Sequence, residues 1–191
     1  MISPAPRALL EGHERRELIR IARVSLKEWM RTGRMPPGAP HRSSLLQHAG
    51  VHVTLLGHEP TRCAWCLTSE QPLYAAIAAL TVQAALHHPR LPPLVLANPL
   101  QLQLRVAVLG PAQPLGAIGD QAPAAIEIGR HGLHVARGSC AALEPPHSAP
   151  GAGWSAVDLL VACCRAAGLT DDDWRQPETA LSIFEAETFE S

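Results

Sequence analysis

An α+β fold is predicted for this chain, with mainly antiparallel or mixed β-sheet flanked by about three helices, in one domain spanning residues 1–191. Three features predict it. Helical periodicity holds in well-separated stretches, and strand-like alternation falls in neighbouring pairs rather than singly between helices. Glycine- or proline-bearing turns separate the members of each pair.

Taken in order, Glu14 to Arg31 places Leu18, Ile21, Ala22, Leu26 and Trp29 at helical spacing, with arginines and glutamates on the opposite face. Gly33 stops this helix, and Arg34 to Gly50 reads as a proline-bearing loop. Val51 to Leu55 is a strand by alternation and β-branching, with Arg62 to Leu67 as its neighbour. Ser69 is placed to cap a second helix, with Pro72 in its first turn, a buried stripe of Leu73, Ile77, Leu80 and Ala84, and Pro89 as its stop. Gln101 to Leu109 alternates strictly and is the strongest strand signal. A loop then runs to Pro123, followed by three short strands, Ala124 to Ile128, Leu133 to Ala136 and Cys140 to Leu143, joined by tight glycine turns. Glu144 to Gly153 reads as loop. Ser155 and Asp158 form a capping box for a third helix with Trp154, Val157, Val161 and Cys164 on its apolar face and Gly168 as its C-cap. Thr170 and Asp173 repeat the cap logic for a short turn near Trp174, and Ala180 to Phe184 is the final strand.

Composition bounds the function. The net charge of −1 and pI of 6.8 leave no electrostatic footprint for nucleic acid or an anionic membrane surface. No apolar run reaches the roughly 20 residues of a membrane span, and the first residues lack a signal peptide's apolar core. Five irregularly spaced cysteines argue against a secreted disulfide framework, so a cytoplasmic location is expected.

Two clusters carry possible chemistry. Cys63-Ala64-Trp65-Cys66 follows Arg62, which suits a redox dithiol whose thiolate the arginine favours, or half of a metal site. With no second such pair and no finger-spaced histidines, no metal site is assigned, and small apolar core residues are the plainer meaning. In a straight strand the two sulfurs would point to opposite faces. Arg130-His131 sits between Gly129 and Gly132 at a turn, where the pair suits binding an anion or moving a proton, against the plainer meaning of a solvated hairpin tip. His87-His88 is explained by complementing a helix C-terminus. Glu185, Glu187 and Glu190 read as acids on the exposed face of a terminal strand rather than as an acid–base pair. No phosphate-binding loop, nucleophile elbow or zinc-protease motif is present, and no cofactor is expected.

Read in order, these segments resemble the AMMECR domain family, in the style of AmmeMemoRadiSam system protein A. Gly129-Arg130-His131-Gly132-Leu133 resembles its Gly-Lys/Arg-His-Gly-Leu, and Gly153-Trp154, Leu159-Leu160, Cys164, Ala167-Gly168-Leu169 and Trp174 resemble the run that follows. Gly50-Val51-His52-Val53-Thr54-Leu55, Pro72-Leu73, Pro89-Arg90-Leu91-Pro92-Pro93-Leu94, Glu14 to Leu18 and Phe184-Glu185-Ala186-Glu187 extend the likeness over nearly the whole chain. The departure lies at the family's Leu-Arg-Gly-Cys-Ile-Gly. A gap-free pairing puts Thr61-Arg62-Cys63-Ala64-Trp65-Cys66 there, so the arginine matches, the family cysteine falls on Ala64, and cysteines replace both glycines. Ala142-Leu143-Glu144-Pro145-Pro146 likewise departs from its Leu-Leu-Pro-Gln.

The resemblance implies one domain of two lobes with a groove between them, and a place in a modification system beside a Memo-type protein and a radical-SAM protein. On that reading Arg62 and Arg130 are substrate-binding residues, and Cys63, Cys66 and His131 are the catalytic candidates. The alternative is a non-catalytic interaction module that has lost the family cysteine, with an exposed apolar patch around Leu91 to Leu96.

Overall fold

The chain divides into two units, one of Met1–Val108 with Glu187–Ser191 and one of Leu109–Ala186. The computed structural model describes residues 10–36, 40, 42–58, 61–87, 92–94, 98–117 and 119–191. Together they give the α+β fold, with two antiparallel sheets and several helices.

The first unit is a four-stranded sheet under two helices. Helix α1 (Gly12–Thr32) starts at a capping box between Glu11 and Glu14 and stops at Gly33, whose φ of 68° is the left-handed conformation that ends helices. Its buried stripe is Leu18, Ile19, Ala22 and Leu26, with Trp29 partly buried at its margin. Strands β1 (Gly50–Leu55) and β2 (Arg62–Cys66) pair antiparallel with Val51 opposite Cys66, Val53 opposite Ala64 and Leu55 opposite Arg62. Helix α2 (Leu73–Leu86) is buried on most sides, from Leu73 and Ile77 to Thr81 and Ala85, because it lies between α1 and the sheet. Strands β3 (Leu104–Leu109) and β8 (Ala186–Glu190) complete the order β2-β1-β3-β8. Val51, Val53, Leu55, Ala64, Leu104, Val106, Val108 and Phe189 form the sheet's side of one core with α1 and α2.

In the second unit, β5 (Gly132–Arg137) is flanked by β6 (Cys140–Glu144) and β7 (Ala180–Phe184), with the two-residue strand β4 (Gln113–Pro114) outside β7. Helix α4 (Ala156–Ala167) packs on β5 and β6. Its Ser155–Asp158 capping box and its left-handed Gly168 both stand as the sequence predicts.

Several local expectations are corrected. Ser69 does not cap α2. Its hydroxyl closes a turn with Gln71, Pro72 is the N-cap, and the free Leu73 N–H donates to the Gln47 carbonyl at 2.8 Å. Strand β3 starts only at Leu104, because Pro99–Gln101 forms a 3-10 turn capped by Asn98. Ala124–Ile128 is no strand. Gly119–Ala125 is a 3-10 turn that contains Pro123, and an alanine-rich stretch has little β preference to oppose it. The predicted loop holds a short helix α3 (Ser148–Ala152), and Ala180–Phe184 is followed by β8. On α4 the buried residues are Leu159, Leu160, Cys163, Cys164 and Ala167, while Val157 is 40% exposed. His87 is the C-cap of α2 and stands edge-on to Trp29. His88, Pro89 to Leu91 and Val95 to Ala97 lie outside the described residues.

Gly50 shows how closely this hairpin is built. A Cβ there would lie 2.2 Å from the Leu67 carbonyl oxygen, a backbone atom that no rotamer change can move. Gly50→Ala is therefore expected to cost about 1–3 kcal/mol and several degrees in thermal unfolding midpoint. Gly116→Ala, with open space around its Cβ position, is expected to leave the midpoint unchanged.

Candidate functional site

Strand β2 remains regular through the Cys63–Cys66 segment, so its residues alternate between faces. Arg62, Ala64 and Cys66 pair with Leu55, Val53 and Val51 on the core face, and Cys63 and Trp65 pair with Thr54 and His52 on the other. The dithiol is thereby split across the sheet, and all five cysteines are free thiols.

Arg62 is the anomaly of this unit. Only 7% of it is exposed, it sits directly across from Leu55, and its buried Nη1 has no hydrogen-bond partner among the described residues. A guanidinium brought out of water is costly unless its donors are met, and each unmet donor adds on the order of 1–3 kcal/mol. Its charge does not activate the neighbouring thiol on its face. Burial pushes the Cys66 thiol above its ordinary value, with only a backbone hydrogen bond from Val51 acting the other way.

The opposite face presents a group the sequence reading missed. His52 is buried, and its Nδ1 lies 3.3 Å from the Thr54 hydroxyl, on the same face as Cys63. The signal was present in the register: once β1 and β2 are taken as a hairpin, the alternation that buries Val51, Val53 and Leu55 sends His52, Thr54 and Cys63 together to the other side.

In the second unit the Gly129–Leu133 segment is a closed turn. Gly129 has φ of 87°, a conformation that other residues rarely take. The His131 Nδ1 accepts a hydrogen bond from the Glu127 N–H at 3.1 Å, which leaves Nε2 to carry the ring proton, and the His131 N–H donates to the Glu127 carbonyl. Arg130 is exposed and ion-paired to Glu185 at 2.7 Å and Glu127 at 3.0 Å, and these two carboxylates hold its pKa up. Gly132 faces Phe184 across the β5–β7 ladder, and a Cβ on it would meet the Phe184 ring at 2.5 Å. The turn thus has an architectural explanation for each of its residues. Arg62 belongs to the first unit, and Arg130 and His131 belong to the second.

Glu144 is a second residue that alternation turns inward, opposite Leu133 on the face that packs under α4. Burial raises its pKa, against a hydrogen bond with the Ser148 hydroxyl that lowers it. Next to it, Cys163 is fully buried with its thiol held well above the ordinary range, and its Sγ donates to the Ala142 carbonyl at 3.5 Å. Among the described residues no group of three or more His, Cys, Asp or Glu is placed to hold a metal, and no helix is long and apolar enough to cross a membrane.

Glu144 makes a pH prediction. Its folded pKa lies above its unfolded one, so on raising the pH the unfolded chain ionises first and stability from this group is lost from the ordinary glutamate range upward. Glu144→Gln is expected to flatten that decline, with a higher unfolding midpoint than the parent at pH 7 and little difference at pH 4.

The family model described as AMMECR1 matches residues 19–189. A Thermococcus gammatolerans protein is 34% identical over 181 residues, covering 91% of this chain and 88% of its own length. A Methanothermobacter thermautotrophicus protein is 33% identical over 187 residues, covering 95% and 96%. The crystal structure of an uncharacterized protein from Pyrococcus horikoshii superposes with a TM-score of 0.80 at 31% identity, covering 92% of this chain and 90% of that one.

Proposed function

Because the chain belongs to the AMMECR1 family, we propose that it is a cytoplasmic accessory or catalytic component of a protein or small-molecule modification system whose partners are a Memo-type protein and a radical-SAM protein. Its substrate carries an anionic group that Arg62 binds. What supports the reading is the buried, unpartnered Nη1 of Arg62. A carboxylate or phosphate is the chemistry that would meet a desolvated guanidinium, through short, charge-assisted hydrogen bonds. If a thiol takes part, it is Cys63, which shares its face with His52 and Thr54.

The test is thermal unfolding of the full chain with glutarate, succinate or inorganic phosphate, beside an Arg62→Met variant. The parent is expected to be stabilised, by about 2.7 kcal/mol at a hundredfold excess over Kd. The variant is expected to fold, since an apolar side chain suits this face, and to show no response. An equal response in Arg62→Met would place the anion elsewhere and overturn the reading.

A second reading, a non-catalytic interaction module, is favoured by the position that pairs with the family cysteine. Ala64 is 5% exposed, packs in the core and has no sulfur. Alkylation with iodoacetamide at pH 8 separates the two. Cys163 and Cys164 are expected to resist while the protein is folded and Cys66 to react slowly, since burial raises all three thiols. A Cys63 that reacts at least tenfold faster than Cys140 supports the catalytic reading, and equal slow labelling of both supports the module.

A further inference from the structure

We infer that the cleft between α1 and α2 is a binding site for a neutral, planar aromatic molecule that carries one hydroxyl or similar hydrogen-bonding group. The site lies within the first unit, and Arg62 is not among its walls, so it goes beyond the role proposed for that residue.

The cleft starts from the composition of α2. A helix usually keeps a polar side toward water, but α2 is apolar nearly all round, so the side opposite the Leu73, Ile77 and Ala84 row also needs cover. That side carries Ala75, Ala78 and Ala79, whose small side chains leave room that larger apolar ones would fill. Glu17, Ile21 and Ser25, one turn apart on α1, form a second wall, and Met35, Pro36 and Pro40 form a third among the described residues. The space is about 550 Å³, within the range of pockets that hold small organic molecules. From Glu17 to Ser25 its α1 wall runs about 12 Å.

Small side chains alone mean only loose packing, and Ser25 is the second observation. It is 3% exposed, it lines the cleft, and its hydroxyl makes no hydrogen bond among the described residues. A buried hydroxyl on a helix ordinarily donates to the carbonyl one turn earlier, as Thr81 on α2 does to Ile77 at 2.8 Å. Ser25 makes no such bond to the Ile21 carbonyl. A desolvated hydroxyl without a partner is unfavourable, and a hydrogen-bonding group on a ligand in the cleft would meet it.

The remaining walls set the rest of the ligand. The charged groups on the α1 side, Arg20 and Glu17, are paired with each other through hydrogen bonds of 2.9 and 2.7 Å, which suits an uncharged occupant. Tyr74 offers a half-buried ring, Met35 a polarisable sulfur, and the two prolines flat apolar faces, all surfaces that pack well against an aromatic ring. Val24, 37% exposed, extends the apolar surface.

Fluorescence titration of the full chain with 2-naphthol, read from the ligand's own emission, tests this beside naphthalene and 2-naphthalenesulfonate. One equivalent of 2-naphthol is expected to bind, and naphthalene about fivefold more weakly, for want of the hydroxyl. The sulfonate is expected to bind no better than naphthalene. Ser25→Ala is expected to weaken 2-naphthol about fivefold and to leave naphthalene unchanged. Ala79→Phe, which fills the space, is expected to abolish binding of both while the unfolding midpoint holds or rises. Should that variant unfold, Ala75→Leu serves, with the same expected direction. No saturable binding of 2-naphthol overturns the inference. So does undiminished binding in the filled variant, which would place the ligand elsewhere. Equal affinity in Ser25→Ala, or tighter binding of the sulfonate, overturns it as well, since the Ser25 hydroxyl would then not select the ligand.

Discussion

The pairing of Leu55 with Arg62 across the first hairpin sets which chemistry the first unit can present. A strand has a side-chain period of two, so one fixed pair fixes the whole set. With Leu55 opposite Arg62, the core face receives Ala64 and Cys66 and the other face receives Cys63 and Trp65. A slip by one residue would bury Cys63 and Trp65 and turn Arg62 outward. The register is pinned at the far end of the hairpin, where Gly50 runs so close to the Leu67 carbonyl that only a residue without a Cβ fits. The buried guanidinium and the divided cysteine pair are both consequences of that one register.

Glycines explain why the sequence identifies a family so readily and a reaction so poorly. Gly129, Gly153 and Gly168 hold positive φ at a turn and at two helix ends, and Gly132 lies under the Phe184 ring. The His131 ring accepts a backbone N–H of its own turn, and Arg130 joins the carboxylates on either side of it. Each of these residues meets a mechanical demand of the second unit. Such demands leave a regular spacing in the chain, and that spacing is what the resemblance rests on. Arg62 differs, because it is buried with an Nη1 that has no hydrogen-bond partner among the described residues.

Capping chemistry made the helices legible. Gly33, Ser155 with Asp158, and Gly168 are local signals, and each acts where the sequence places it. Elements set by tertiary context were harder to read. The alternation that defines β3 continues into Gln101 to Gln103, but Asn98 and Pro99 hold the chain in a turn there. The acids of β8 read from the sequence as the exposed face of a terminal strand, whereas Glu187 in fact accepts from the Leu10 N–H and from Arg15. The inward aim of Arg62 could not be seen in β2 alone, since it follows from the partner strand. The same is true of His52 and Glu144.

Thiol reactivity in this protein is governed by desolvation. Cys66, Cys163 and Cys164 are each pushed up by burial, and at Cys163 the nearby Glu144 adds to the effect. A thiolate formed at Cys163 or Cys164 would stand desolvated with carboxylates nearby, Glu144 at the first and Asp173 and Asp171 at the second, which favours the neutral form. Arg62 is the cation on the core face of β2, yet the thiol that shares its face is raised, not lowered. The Arg62 Nη1 is thus a donor that neither this thiol nor any other described group meets. On this face of the sheet a desolvated positive group stands with one thiol, Cys66, that burial keeps protonated, which argues against that thiol as a nucleophile.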